Sequence, residues 1–307
     1  MSTTARDLRT RLVRLVALGL ATTLVAFGAF RAVHDDAARL AESSSPGVLA
    51  VDTARSALVS ARAAVPEAGL EGAGSGTFHT RVSVAHQALA VAASENVTGV
   101  EGRRTIQTVT GLIAVYSGWV EQAHREPARS PLRAAYLHYA DRVLDAPETE
   151  EDIAGRLADL RSQQVAVAEE QASLGWARTL SWTAAALFAL LCAALWETQR
   201  FTRHRFRRLA DPPLLAAAAL WTTGAAVLAW LTLRTHGGTA RALDELRTAR
   251  TGDGVAAVGG RVAEHLAGVD LRAAASDLIL VGGVALVALT VSGLLPRIDE
   301  YRGEGRR

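Results

Sequence analysis

Four stretches of about 20 mainly apolar residues, with no ionisable side chain in their central parts, constrain this chain more than any other feature. They cover residues 12–33, 178–197, 213–233 and 277–296. In hydrocarbon every backbone polar group must find its partner within the segment, so each stretch reads as a membrane-spanning helix. Arg14 and Arg31 fall near the ends of the first, where long side chains snorkel to the headgroups. Trp176, Trp182, Trp196 and Trp230 fall near span ends, as interfacial indoles do. The first stretch follows Arg6, Arg9 and Arg11 and ends near Ala26-Phe27-Gly28, a loose signal-peptidase pattern. It is longer than the ~7–15 residue core of a signal peptide, so it reads as an uncleaved anchor.

Arginine placement orients the spans. Arg6, Arg9, Arg11 and Arg14 stand at the head of the first. Arg200, Arg203, Arg205, Arg207 and Arg208 lie in or beside the loop 198–212, and Arg297, Arg302, Arg306 and Arg307 lie in the tail 297–307. These segments, with the tail 1–11, are expected to be cytoplasmic, in a multi-pass protein of the bacterial plasma membrane. Residues 34–177 carry more Asp and Glu than Arg, and 234–276 is nearly balanced, so both are expected outside. All 33 basic residues are Arg, which points to a high-GC bacterium.

The expected fold is therefore an all-α membrane protein: four transmembrane helices, with an extracytoplasmic helical bundle inserted between spans one and two. Within 34–177 helix signals recur and alternating strand patterns do not. Ser45-Pro46 reads as a cap and first-turn proline opening a helix that stops before Pro66. Residues 69–76 read as a Gly-rich loop. A second helix aligns Phe78, Val82, Ala85, Leu89 and Ala92. A third aligns Ile106, Val109, Ile113, Tyr116 and Val120, with Leu112, Val115 and Trp119 as a neighbouring apolar stripe. Ser130-Pro131 opens a fourth, with Leu132, Tyr136, Tyr139 and Val143 in line. Pro147 and the acidic residues after it open the last, which is expected to run through Leu174 directly into span two. In the second exterior segment, helices are expected at 239–249 and 255–267, packed against the larger bundle because the segment is too short for its own core.

Chemistry has little foothold. The single cysteine, Cys192, permits no intramolecular disulfide or cysteine metal cluster. No phosphate loop, Rossmann glycine pattern or zinc-protease motif is present. The expected cytoplasmic segments, each about a dozen residues, are too short for a catalytic domain. His79 and His86 share a helical face, but nothing fixes a third ligand, and the paired carboxylates read as solvated helix surface. The expectation is no enzyme activity, no cofactor, no metal and no nucleic acid partner. The Arg-rich loop serves topology and anionic headgroups, and offers a docking face for an acidic partner.

Three stretches carry a family likeness. Tyr116-Ser117-Gly118-Trp119-Val120-Glu121 is followed after a turn by Ala134-Ala135-Tyr136-Leu137. Residues 203–208 precede Asp211-Pro212-Pro213-Leu214-Leu215-Ala216-Ala217 at the start of span three. Gly293-Leu294-Leu295-Pro296-Arg297-Ile298-Asp299-Glu300-Tyr301-Arg302 closes span four. In this order and placement they resemble actinobacterial four-span proteins that link an extracytoplasmic amino-acid-binding lipoprotein to a cytoplasmic Ser/Thr protein kinase, as in mycobacterial glutamate and aspartate sensing. The resemblance implies a non-catalytic transducer. It places exterior partner contacts at Tyr116, Gly118, Glu121, Ala134 and Tyr136, and cytoplasmic partner or lipid contacts at Arg203, Arg205, Arg207, Arg208, Arg297, Glu300 and Tyr301. The alternative is a structural or assembly subunit of a cell-envelope complex. A transporter is disfavoured, since four spans without a buried charge or broken helices offer little to line a path.

Overall fold

The computed structural model describes residues 3–65, 73–146, 152–173, 175–206, 212–249, 254–274 and 276–304. Among them there is no strand. The helices are α1 (Thr3–Arg39), α2 (Ser45–Ala64), α3 (Ala73–Ser94), α4 (Gly99–Arg125), α5 (Pro131–Leu144), α6 (Ile153–Ala172), α7 (Gly175–Phe206), α8 (Pro212–Thr248), α9 (Val255–Leu266), α10 (Val269–Ala274) and α11 (Asp277–Glu304). α1, α7, α8 and α11 each contain a stretch long and apolar enough to cross a membrane. Contacts divide the chain into two compact units.

The first unit comprises residues 1–36, 174–237 and 268–307. Its core is Leu15 of α1, Leu191, Ala194 and Leu195 of α7, Trp221 of α8, and Leu286 and Leu294 of α11. α1 and α11 approach so closely that a Cβ on Gly283 would collide with the Thr23 side chain. Thr23 holds its hydroxyl on the Gly19 carbonyl of its own helix, which leaves no free donor at that crossing. Arg11 reaches Glu197 at 3.0 Å and lies over the Phe201 ring at 4.6 Å, tying one end of α1 to α7.

The second unit comprises residues 37–173 and 238–267. A core cluster there joins Val51, Ala54 and Leu58 from α2, Phe78, Val82, Ala85, Leu89 and Ala92 from α3, Ile106, Val109, Ile113, Tyr116 and Val120 from α4, and Leu157 and Leu160 from α6. These are residues at spacings of three and four, so one stripe per helix meets in a common core. α5 starts as its sequence signals, with the Ser130 hydroxyl accepting from the Leu132 amide. Asp152 likewise caps α6 by accepting from the Gly155 amide. The expected opening at Pro147 and the acidic residues to Glu151 lies outside the described residues, as does 66–72.

Four expectations need correction. Ser45-Pro46 opens no new helix: α1 passes into α2 through a π-helical turn, Leu40–Ser44. There the Ser45 amide and hydroxyl both donate to the Leu40 carbonyl, five residues back. The wide turn accommodates Pro46, which has no N–H to offer. Second, the last bundle helix does not continue into span two. α6 ends at Ala172, Ser173 is extended with its hydroxyl on the Glu170 carbonyl, and α7 begins at Gly175 with φ +31°. Ser173, extended and competing for the helix carbonyls, ends α6, and Gly175 supplies the positive φ at which α7 begins.

Third, the stripe Leu132, Tyr136, Tyr139 and Val143 is not the buried face of α5. Leu132 and Tyr139 are more than half exposed, and Ala140 and Leu144 point into the core. Finally, Val115 is exposed, so the second stripe of α4 reduces to Leu112 and Trp119 packed at the core's edge.

Candidate functional site

A line of polar residues runs between α2 and α6, beside the apolar core of the bundle. Ser44 donates to the Gln171 amide oxygen at 2.7 Å. Eight residues further along α2, the Arg161 Nε donates to Asp52 Oδ1, also at 2.7 Å. Between the two pairs, a Cβ on Gly47 would stand 3.6 Å from Gln164 Nε2 and 3.1 Å from the Glu95 carbonyl oxygen, so the missing side chain eases a close approach there. Residues 161, 164, 168 and 171 share one face of α6 by their spacing. That face therefore alternates Arg161, Gln164 and Gln171 with the fully buried Ala168.

Arg161 does more than pair with a carboxylate. Its Nη2 donates to the carbonyls of Leu246 at 2.7 Å and Ala249 at 3.0 Å, at the end of α8. These carbonyls lie at the C-terminal end of α8, where a guanidinium also complements the helix dipole. One side chain thus holds α2, α6 and the end of α8. Outside it, Arg247 pairs with Glu169 at 2.7 Å and Arg261 with Glu245 at 2.9 Å. Both pairs are solvent-exposed and contribute little.

The centre of the line is polar but incompletely satisfied. Asp52 is 2% exposed, and burial pushes its carboxyl above its usual value against the opposing pull of Arg161. Its Oδ2 has no hydrogen-bond partner among the described residues, nor has either end of the wholly buried Gln164 amide. Buried polar atoms left without a partner cost about 1–3 kcal/mol each. A layer of this kind specifies which faces meet while holding them less firmly than an apolar seam would.

A second polar cluster lies in the first unit. His34, fully buried, contacts the Phe30 carbonyl through Nδ1 at 2.8 Å and Thr235 Oγ1 through Nε2 at 3.1 Å. Arg272 of α10 donates to the same Thr235 oxygen at 2.8 Å. A carbonyl only accepts, so Nδ1 carries the proton, and Nε2 of the neutral ring accepts a hydrogen bond from the Thr235 hydroxyl. Burial holds the His34 pKa below its usual value, with Arg272 also lowering it and the Phe30 carbonyl and Asp35 opposing. A base with a depressed folded pKa binds fewer protons folded than unfolded, so its contribution to stability is lost as pH falls from about 6.5 through the folded value. Thermal unfolding of the full chain in nanodiscs between pH 5 and 8 is expected to show a loss on acidification, of at most ~1.4 kcal/mol per pH unit from this group. His34→Gln is expected to flatten that part of the profile.

The residues singled out by their motifs are dispersed. Tyr116 is 1% exposed, its ring 5.8 Å from Phe78. Gly118 has open space around it, and Glu121 and Ala134 are exposed. Tyr136 stacks on Trp119 at 5.8 Å, with Tyr139 5.4 Å from the same indole, so these three rings form a half-exposed cluster joining α4 to α5. Arg203 and Arg205 fall in the last turns of α7, and Arg297, Glu300 and Tyr301 in those of α11. Arg207 and Arg208 lie outside the described residues. Asp52, Arg161 and Gln164 were missed by motif reading. The signal available was a charge on the apolar face that runs from Val48 to Leu58, and an arginine following Leu157 and Leu160 on theirs.

The helices that build this polar line between α2 and α6 have a known counterpart in sequence. Residues 36–172 match the actinobacterial sensor domain. The matched stretch ends within a residue of the second unit's first segment, 37–173. The matched stretch contains Asp52, Arg161 and Gln164, while the α8 carbonyls that Arg161 also binds come from beyond it. The match supports a sensor protein of actinobacterial type, and the four apolar helices fit a membrane protein. No curated protein and no solved structure matches the chain.

Proposed function

We propose that the chain is a non-catalytic transmembrane signal transducer. In this reading the sensor domain lies outside the cell and reads the state of an extracytoplasmic solute-binding lipoprotein. The short segments 198–212 and 297–307 report that state to a cytoplasmic Ser/Thr kinase or its adaptor.

The observation that carries the reading is the shared hold of Arg161. It grips α2, which continues without a helical break from the first apolar helix, and the end of α8, which begins in the third. A partner that shifts α6 by a fraction of a turn changes both contacts together. The partly satisfied layer around Gln164 makes such a shift inexpensive compared with moving an apolar seam. A signal then needs no chemistry in the chain itself, only two arrangements of α6 against α2 with different partner affinities.

Photocrosslinking in cells tests this, with probes at Glu121 and Arg133 for the exterior and Arg205 for the interior. The transducer reading expects a solute-binding lipoprotein from the first two and a kinase or adaptor from the third. Envelope-assembly proteins outside, with only lipid inside, would favour the structural-subunit alternative instead.

A further inference from the structure

The second unit holds few aromatic side chains, and those outside its core come together at one place. Phe78 and Tyr116 are buried, and Trp119, Tyr136 and Tyr139 are the remaining Phe, Tyr and Trp of residues 37–173 and 238–267. Both tyrosine rings pack on the Trp119 indole, at 5.8 and 5.4 Å. Val115, one turn before Trp119, and Leu132, one turn before Tyr136, extend the same face by their spacing. Both are about half exposed, as is Tyr139. The ion pair of Arg62 with Asp141, at 2.9 Å, places this cluster near the last turns of α2. That is roughly 25 Å along the helix from the Leu40–Ser44 turn at its start.

Charge is segregated to the same hairpin. Between residues 122 and 140 stand Arg125, Arg129 and Arg133 against the single carboxylate Glu126, whereas the rest of 36–172 carries nine Arg against 17 Asp and Glu. None of the three arginines has an ion-pair partner among the described residues. Glu126 is engaged by the Ser130 hydroxyl. Arg133 stands in the first turn of α5, where the helix dipole opposes a cation, so the electrostatics of the fold itself does not account for it.

We propose that the α4–α5 hairpin is the docking face for a second protein that presents an acidic surface around an apolar centre. Trp119, Tyr136 and Tyr139, with Val115 and Leu132, form the apolar middle of the contact, and the three arginines form its cationic rim. A small anion or a bare polyanion engages the arginines and leaves the rings uncovered. A neutral apolar partner covers the rings and leaves the arginines unmatched. The partner is the exterior one of the transducer reading, on which this inference rests.

In-cell photocrosslinking of the full chain tests it, with benzoylphenylalanine in place of Leu132 or, as the reference position, in place of the half-exposed Val91 of α3. Mass spectrometry of the crosslinked peptides is expected to show one partner protein, joined through an Asp- and Glu-rich segment, from Leu132 and not from Val91. Arg129→Glu together with Arg133→Glu is expected to lower the yield about ten-fold, because like charges then face each other. The reversal puts acid at the N-terminus of α5, where the dipole favours it, so a lost yield is not lost folding. Arg103→Glu with Arg104→Glu, the same change of charge on exposed residues of α4, is expected to leave the yield unchanged.

No crosslink from Leu132, equal capture from Val91, or a yield indifferent to the reversal at Arg129 and Arg133 would each overturn the proposal. So would a partner joined through a neutral or basic segment, or capture of a second copy of this chain, a lipid or a glycan. The transducer reading is read out separately, by the phosphorylation response to external amino acids. A partner captured as expected without that response sinks the transducer reading and leaves the docking face. A retained response with an indifferent yield sinks the docking face alone.

Discussion

Arg161→Ala is expected to destabilise the second unit by about 3 kcal/mol, near the lower end of the ~3–5 kcal/mol for removing one member of a buried ion pair. The lower end applies because the Arg161 side chain keeps 20% exposure, whereas Asp52 keeps 4%. The loss has two sources. A buried carboxylate is left without its cation, and the Leu246 and Ala249 carbonyls lose their donor. Asp52→Asn is expected to cost about 1 kcal/mol, since the Asn oxygen still accepts from Arg161 and a neutral amide is cheaper to bury. The inequality between the two variants is the diagnostic result.

The pH dependence of Arg161→Ala has a defined sign. An acid whose folded pKa is raised binds more protons folded than unfolded, so stability falls as pH rises from about 4 through the folded value. Burial already raises Asp52 with Arg161 present. Without Arg161 the shift grows, and the variant is expected to lose more stability between pH 4.5 and 7.5 than the parent does. Hydrogen exchange of α2 and α6 peptides, in the full chain in nanodiscs, measures both effects. Equal protection of those peptides in parent and variant would show that the ion pair does not hold the helices together.

Tyr116 gives the second large effect. Tyr116→Ala is expected to cost about 3–5 kcal/mol, as truncating a buried aromatic ring does. Tyr116→Phe is expected to be neutral, or to gain up to about 1 kcal/mol. The hydroxyl it removes is buried and has no hydrogen-bond partner among the described residues. Burial, with Asp141 also raising and Arg62 lowering it, pushes the phenol up to about 12, so it remains neutral throughout the working range. If Tyr116 instead serves as a partner contact, Tyr116→Phe leaves unfolding unchanged and lowers capture of the partner. Chemical unfolding and crosslinking yield, measured on the same pair of variants, separate the two roles.

These two residues also mark how far the sequence can be read. Tyr116 lies on a face that repeats at three and four with Ile106, Val109, Ile113 and Val120, and the same rule aligns Phe78 to Ala92 on α3. Both stripes are buried. Periodicity identifies a face wherever the face is aliphatic and continuous. It misleads on α5, where Leu132, Tyr136 and Tyr139 repeat just as well, yet Leu132 is exposed and the two tyrosines pack on Trp119 at the surface, while Ala140 and Leu144 turn inward.

Local chemistry is equally partial. The Ser130 cap is visible because its partner is two residues away. The π turn at Leu40–Ser44 and the stop at Ser173 depend on how Ser45 and Ser173 divide their hydroxyls among nearby carbonyls, and the residue type alone does not fix that choice. The Asp52–Arg161 pair joins residues 109 apart. Helical spacing says which face each occupies and nothing about which helix that face will meet.

The most direct test of the transducer account is the change in cytoplasmic Ser/Thr phosphorylation when amino acids are added outside cells that lack this chain, or that carry it as the parent or as Arg161→Lys. The lysine keeps the charge but loses the planar fork whose Nε serves Asp52 while its Nη2 serves the two carbonyls. The account predicts a response that disappears with the chain, returns with the parent, and is weakened by Arg161→Lys at matched abundance in the membrane. An unchanged response in cells without the chain, accompanied by loss of envelope proteins, would contradict it.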